Sequence, residues 1–132
     1  MACKLLLAAT FVVILAACGG STHGRRGPPP TKAEFAAAAN HVCRTTETHR
    51  GRIAELRKLS SRVPLAEQDL YRHWLVAERL AVHAADVIAG RKKEGQVDPL
   101  VELAIARGKI AGYARRLGAR MCIAAPGVTM RS

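Results

Sequence analysis

The chain has 132 residues, 21 of them Lys or Arg and 10 Asp or Glu, giving a formal charge of +11 and a pI near 10.4. At 49% hydrophobic it can bury a core, but only 4% of it is aromatic, so that core must rest on small side chains. No GxSxG, P-loop, dinucleotide fingerprint, HExxH or CxxCH occurs, which removes the enzyme, zinc-protease and c-type haem classes that announce themselves by linear motif.

The chain begins with a short start carrying Lys4 and continues in an apolar run from Leu5 to Ala17. Spanning the hydrocarbon core takes about 20 apolar residues, so this run is too short for a comfortable transmembrane helix and fits a secretory signal peptide over residues 1–17. It ends in "LAAC", residues 15–18, followed by Gly19, Gly20 and Ser21. This stretch resembles the lipobox of bacterial lipoproteins, in which Leu and two small residues precede an obligatory Cys. The resemblance implies a diacylglyceryl group on the Cys18 thiol, cleavage just before it, and a protein anchored by lipid on the extracytoplasmic face of a cell membrane. Each buried acyl CH₂ contributes roughly 0.8 kcal/mol, so two or more chains hold a small protein almost permanently.

Residues 18–30 then form the lipidated Cys and its tether. The segment "GGSTHGRRGPPP" lacks apolar side chains, and its three prolines favour an extended, semi-rigid course. Residues 19–30 reach at most roughly 40 Å, so the folded part works close to the membrane surface.

From Thr31 the periodicity is helical. "TKAE" is a capping box, with Thr31 at the N-cap and Glu34 three residues on. Phe35, Ala39, Val42, Thr46, His49, Ile53 and Leu56 follow at near-heptad spacing, predicting one long first helix. Pro64 opens a second, lined by Leu70, Trp74, Ala77, Leu80 or Ala81, Ala84 and Ile88 and stopping around Gly90. "RKKEGQV" is a polar connection, and Asp98-Pro99 starts a third helix. Its expected inner face is Leu103, Ile110, Ala114 and Leu117, with Gly108 and Gly112 allowing close approach of a neighbour. No stretch alternates with period two. The expected fold is all-α, an antiparallel bundle of three long helices over residues 31–122, with residues 123–132 as a C-terminal tail.

Cys3 leaves with the signal peptide and Cys18 carries lipid, which leaves Cys43 and Cys122. In an exported protein such a pair is expected to form a disulfide, and no second pair at CxxC spacing is present to complete a zinc site. A straight first helix would hold Cys43 far from Cys122, whereas a disulfide needs about 5.5 Å between Cα atoms. A bend near Gly51 removes that conflict.

"KAEFAAAANHVC" and "ARRLGARMC" at the two ends of this region resemble a broad group of small exported helical proteins from high-GC Gram-positive bacteria. In that group an early Phe and Cys are matched by a Gly and Cys near the C-terminus. The resemblance covers most of residues 31–122 and implies export, helical structure and a disulfide, with no activity attached.

Basic residues gather in "GRR" at 24–26, "RKK" at 91–93 and "RR" at 115–116. Beside anionic lipid or cell-wall polymer each is drawn in by roughly 1 kcal/mol. Nucleic acid is not an expected partner, since the compartment is wrong and no stacking platform or recognition helix is present. His41, His49 and His73, the last beside Trp74, are candidate ligand-binding residues for a pocket between helices. No metal and no cofactor are expected. Glu34, Glu47, Glu55, Glu67 and Glu78 sit among arginines and read as surface pairs, Glu78 with Arg79 and Arg72 nearby, so no matched acid and base is expected. The sequence thus points to a non-catalytic, membrane-anchored envelope lipoprotein acting through an unknown protein partner or an anionic envelope component. The alternative is a lipoprotein binding a small ligand or metal.

Overall fold

A computed structural model describes residues 27–127. The signal peptide, Cys18, most of the tether and the last residues of the tail lie outside the described residues. Those described contain four α-helices and no strand: α1 Lys32–Thr45, α2 His49–Lys58, α3 Gln68–Ile88 and α4 Pro99–Arg116. Three short 3₁₀ turns, Ser60–Arg62, Leu65–Glu67 and Arg120–Cys122, shape the connections. No helix among these residues is long and apolar enough to cross a membrane.

The predicted long first helix is two helices. The break falls at Thr46–Thr48, just before Gly51, which stands in the first turn of α2. Three threonine hydroxyls account for its position. Those of Thr45 and Thr46 bond back to carbonyls of α1, on His41 and Val42, while Thr48 caps α2 by accepting the Gly51 N–H at 3.0 Å. Thr46 and Thr48 are both extended in backbone, so the chain turns between them instead of bending within a helix. At the front of α1 the Thr31–Glu34 capping box is fully formed, and hydrogen bonding to Thr31 holds the Glu34 carboxyl below the usual range.

Pro64 precedes a 3₁₀ turn, and α3 proper begins at Gln68. α3 is antiparallel to both of its long-range partners. Tyr71 meets Leu56 and Glu78 meets His49 across α2, while His73 stacks on Tyr113 and His83 faces Glu102 across α4. In both pairs, advancing along α3 means retreating along the partner.

Both α3 and α4 end in Schellman motifs built on a glycine in the left-handed region. At Gly90 (φ 70°) the Arg91 N–H returns to the Asp86 carbonyl, and at Gly118 (φ 80°) the Ala119 N–H returns to Ala114. The second turn sends the chain back toward α1. There Cys122 meets Cys43 in a disulfide with a Cα separation of 5.1 Å, closing a sequence separation of 79.

The core is small-residue packing around a few large side chains. Phe35, Leu56, Trp74 and Leu117 are fully buried among Ala39, Ala81, Ala106, Ala114 and Ala119. Phe35 meets Tyr71 edge to face with ring centroids 5.7 Å apart, and the Tyr71 hydroxyl donates to the Leu56 carbonyl at 2.7 Å. Burial pushes the Tyr71 phenol up, with Arg57 opposing. Ile88, expected inside, is 47% exposed. Gly108 and Gly112 also face outward, since a Cβ on either would meet no atom within 4 Å. The close approach at these glycines is therefore to no element of this domain among the described residues.

Candidate functional site

The strongest departure from a simple apolar core lies where α2, α3 and the segment after Cys122 converge. Glu78 is fully buried and not at the surface with Arg79 and Arg72. The stripe Tyr71, Trp74, Ala77, Glu78, Ala81 of α3 carries it inward, because residues three and four apart share one helix face. On α2 the equivalent stripe His49, Arg52, Ile53, Leu56 carries two basic side chains to meet it.

Glu78 gathers three donors. His49 Nδ1 donates to its Oε2 at 2.8 Å, while Trp74 Nε1 and Arg52 Nη1 reach Oε1 at 3.2 and 3.4 Å. Arg52, 1% exposed, also donates to the backbone carbonyls of Cys122 and Ala124 at 3.5 and 3.1 Å. Its guanidinium thereby ties α2 and α3 to the chain just beyond the disulfide. Burial holds the Arg52 pKa below its ordinary value, with the charge and hydrogen bond of Glu78 opposing the shift.

Two buried polar atoms of this network have no partner in the protein, Arg52 Nε and His49 Nε2. His49 is 8% exposed and lines an open cavity of about 320 Å³ with Arg50, Asp86, Arg91 and Arg107. Glu78 does not line that cavity, and His49 Nε2 is itself buried. The cavity also sits at the start of α2, where unsatisfied backbone N–H groups and the helix dipole favour negative charge.

Two acids line the cavity, Glu47 and Asp86, and the Asp86 side chain is only 4% exposed. Arg50 Nη2 reaches its Oδ2 at 2.7 Å and Arg91 Nε its Oδ1 at 3.0 Å. These two hydrogen bonds hold the Asp86 carboxyl below the usual carboxylate range. The Schellman turn at Gly90 places the Arg91 side chain there by bringing its own N–H to the Asp86 carbonyl at 2.8 Å.

Of the sequence candidates, His49 alone lines this cavity, and Trp74 joins the buried network behind it. His41 is exposed over a shallow depression between α1 and α2, and His73 is exposed and stacks on Tyr113 at 6.0 Å. Trp74 is fully buried, lines none of these cavities, and binds Glu78 through its ring nitrogen. The three histidines therefore do not converge on Trp74, whose side chain is fully buried in the core. Sequence reasoning missed Arg52, Glu78, Asp86 and Arg107. Among the described residues no group of three or more His, Cys, Asp or Glu side chains lies close enough to hold a metal ion.

Chemically, His49 and Glu78 form a carboxylate–imidazole pair without a nucleophile. No hydroxyl or thiol among the described residues reaches Nε2, and Thr48, the neighbouring hydroxyl, is engaged as the α2 cap. Comparison of the chain with protein-family models, with curated proteins and with solved structures returns no match.

Proposed function

We propose that this chain is an exported lipoprotein, anchored through lipid on Cys18 to the extracytoplasmic face of a cell membrane. Its helical domain serves there as a non-catalytic interaction or binding module. The observation that carries the reading is the Cys43–Cys122 bond, which joins the two cysteines left once the "LAAC" segment has been assigned to anchoring. Disulfides persist in oxidising, extracytoplasmic compartments, so the bond and the lipobox resemblance point to one location. On this reading the α1–α2 arm, α3 and α4 make a three-armed antiparallel bundle whose first arm is broken at the threonines.

Intact mass of the protein extracted from its native membrane, with and without reduction before alkylation, tests the proposal. The expected mass starts at acylated Cys18 and gains two alkyl groups only after reduction. An unacylated mass, or alkylation before reduction, would overturn it.

His49 favours a second reading within the same class, a small-ligand site. Arg107 borders a cavity whose other arginines are engaged by Asp86, which leaves positive charge beside His49 for a small oxyanion. Titration with inorganic phosphate, followed by the His49 ring resonances, tests this. Saturable shifts lost in Arg107→Ala support the site, and unmoved resonances exclude it.

A further inference from the structure

α4 is apolar on two opposite faces. Ala106, Ile110 and Ala114 point into the core and are buried. Val101 and Ile105, one turn apart and roughly opposite Ile110 at about 100° per residue, are 50% and 51% exposed. Leu100 at 64% exposed adjoins them at the start of the helix. Gly108 and Gly112 continue the outer line toward the C-terminus, and a Cβ on either would stand in open space. A surface helix of an ordinary globular domain carries one apolar stripe with polar residues opposite, so the second stripe needs an occupant.

Charge selects the occupant. On the helical wheel the outer stripe is bordered by Lys109 and Arg116 on one side and Arg107 on the other, all exposed, and Arg115 lies at its C-terminal end. The loop before α4 adds exposed Lys92 and Lys93. The acids lie at the N-terminal end of this face, Asp98 capping the Leu100 N–H at 2.8 Å and Glu102 beside His83 of α3, with exposed Glu94 in the loop before them. An apolar strip edged toward its C-terminal half by the exposed side chains of Lys109, Arg115 and Arg116 fits a helix lying in the plane of an anionic membrane interface.

We propose that the outer face of α4 seats on an anionic lipid bilayer, with Val101, Ile105 and Leu100 entering the headgroup–acyl boundary and Lys109, Arg115 and Arg116 on the lipid phosphates. This rests on the anchored-lipoprotein reading, because a tether of residues 19–30 keeps the start of the folded domain within roughly 40 Å of the surface. Seating α4 turns the body of the domain onto the bilayer, so the tether and the helix together fix its orientation.

The test uses the native acylated protein in nanodiscs carrying a nitroxide-labelled lipid. One set is rich in phosphatidylglycerol and the other is of phosphatidylcholine alone. Methyl signals of Val101 and Ile105 are expected to lose at least threefold more intensity than those of core-facing Ile110 in the anionic discs. The difference should collapse in the zwitterionic discs and in the Val101→Ser/Ile105→Ser variant read at Leu100. Equal attenuation of Ile105 and Ile110 in anionic discs would overturn the proposal, as would lipid-independent shifts of these methyls that grow with protein concentration and mark a second copy as the occupant. Protein that stays with the discs without this contrast sinks the α4 proposal and leaves the anchor standing. Protein that lacks acylation by mass sinks the anchor, and the methyl contrast on addition to preformed discs still decides the helix.

Discussion

Glu78 lies one helical turn beyond Trp74 on α3 and accepts its indole N–H at 3.2 Å, so the largest buried side chain and the most deeply buried acid form one unit. Because Arg52 and His49 reach the same carboxylate from α2, the packing of the two helices encloses a buried charge network. Removing one partner of a buried ion pair typically costs about 3–5 kcal/mol, since the other charge is left uncompensated. Glu78→Ala is therefore expected to destabilise by that order. Urea unfolding followed by fluorescence of Trp74, the one tryptophan of the chain, checks it. Replacing Arg52 with Met in the same background should recover part of the loss. A Glu78→Ala variant within 1 kcal/mol of the parent would mean that the network does not hold the helices together.

The disulfide should matter out of proportion to the contacts around it. α1 rests chiefly on the Arg120–Cys122 turn, and its closed loop spans 79 positions. On chain-entropy grounds a loop of that size is worth about 4 kcal/mol. In a Cys43→Ala/Cys122→Ala variant the urea midpoint should fall accordingly. Amide exchange should accelerate most in α1 and least in α3, the element packed against both α2 and α4. Uniform acceleration would show that α1 is not the separately held element described above.

Gly118 sets the direction in which Cys122 returns. Its φ of 80° suits glycine, and a Cβ there would come within 3.4 Å of the Ala36 side chain. Left-handed backbone costs other residues roughly 1–2 kcal/mol, so Gly118→Ala should destabilise by about that much. Gly95, where a Cβ meets nothing and φ is unremarkable, provides the control. Equal thermal midpoints for the two alanine variants would contradict the constraint.

How far the sequence reached follows from what each signal encodes locally. The Thr31–Glu34 box, the Asp98-Pro99 start and the apolar spacing of α3 were legible because capping and periodicity are read within one or two turns. The break before Gly51 was anticipated only through the geometry of the disulfide. Its true position depends on how Thr45, Thr46 and Thr48 divide their hydroxyls between two helices, which no period reveals. Glu78 was misread because i to i+4 charge rules describe solvated faces. Its signal was present in register, an acid on the Tyr71–Trp74–Ala81 stripe and a base on the His49–Leu56 stripe, and two opposite charges on facing apolar stripes predict a buried pair. The doubled apolar character of α4 misled in the other direction, because Gly108 and Gly112 fit an inner face as well as an outer one until the buried side is known.

Asp86 gives the site a pH signature whose direction is fixed by its partners. Hydrogen bonds from Arg50 and Arg91 lower its pKa in the folded state, while the unfolded chain returns it to about 3.9, the ordinary aspartate value. Between those two values the unfolded state binds more protons, so stability must fall as acid is added. The contribution of Asp86 is complete above the ordinary value and is lost as the pH drops through the lowered one. Urea midpoints measured from pH 6 to pH 2 should therefore decline more steeply for the parent than for Asp86→Asn, which lacks the titration, and the two curves should converge at the acid end. Parallel curves would show that Asp86 is not the group Arg50 and Arg91 hold. Since those arginines border the same cavity as His49, the neutral variant also frees two guanidinium groups, and any phosphate-induced shift of the His49 ring should grow in Asp86→Asn.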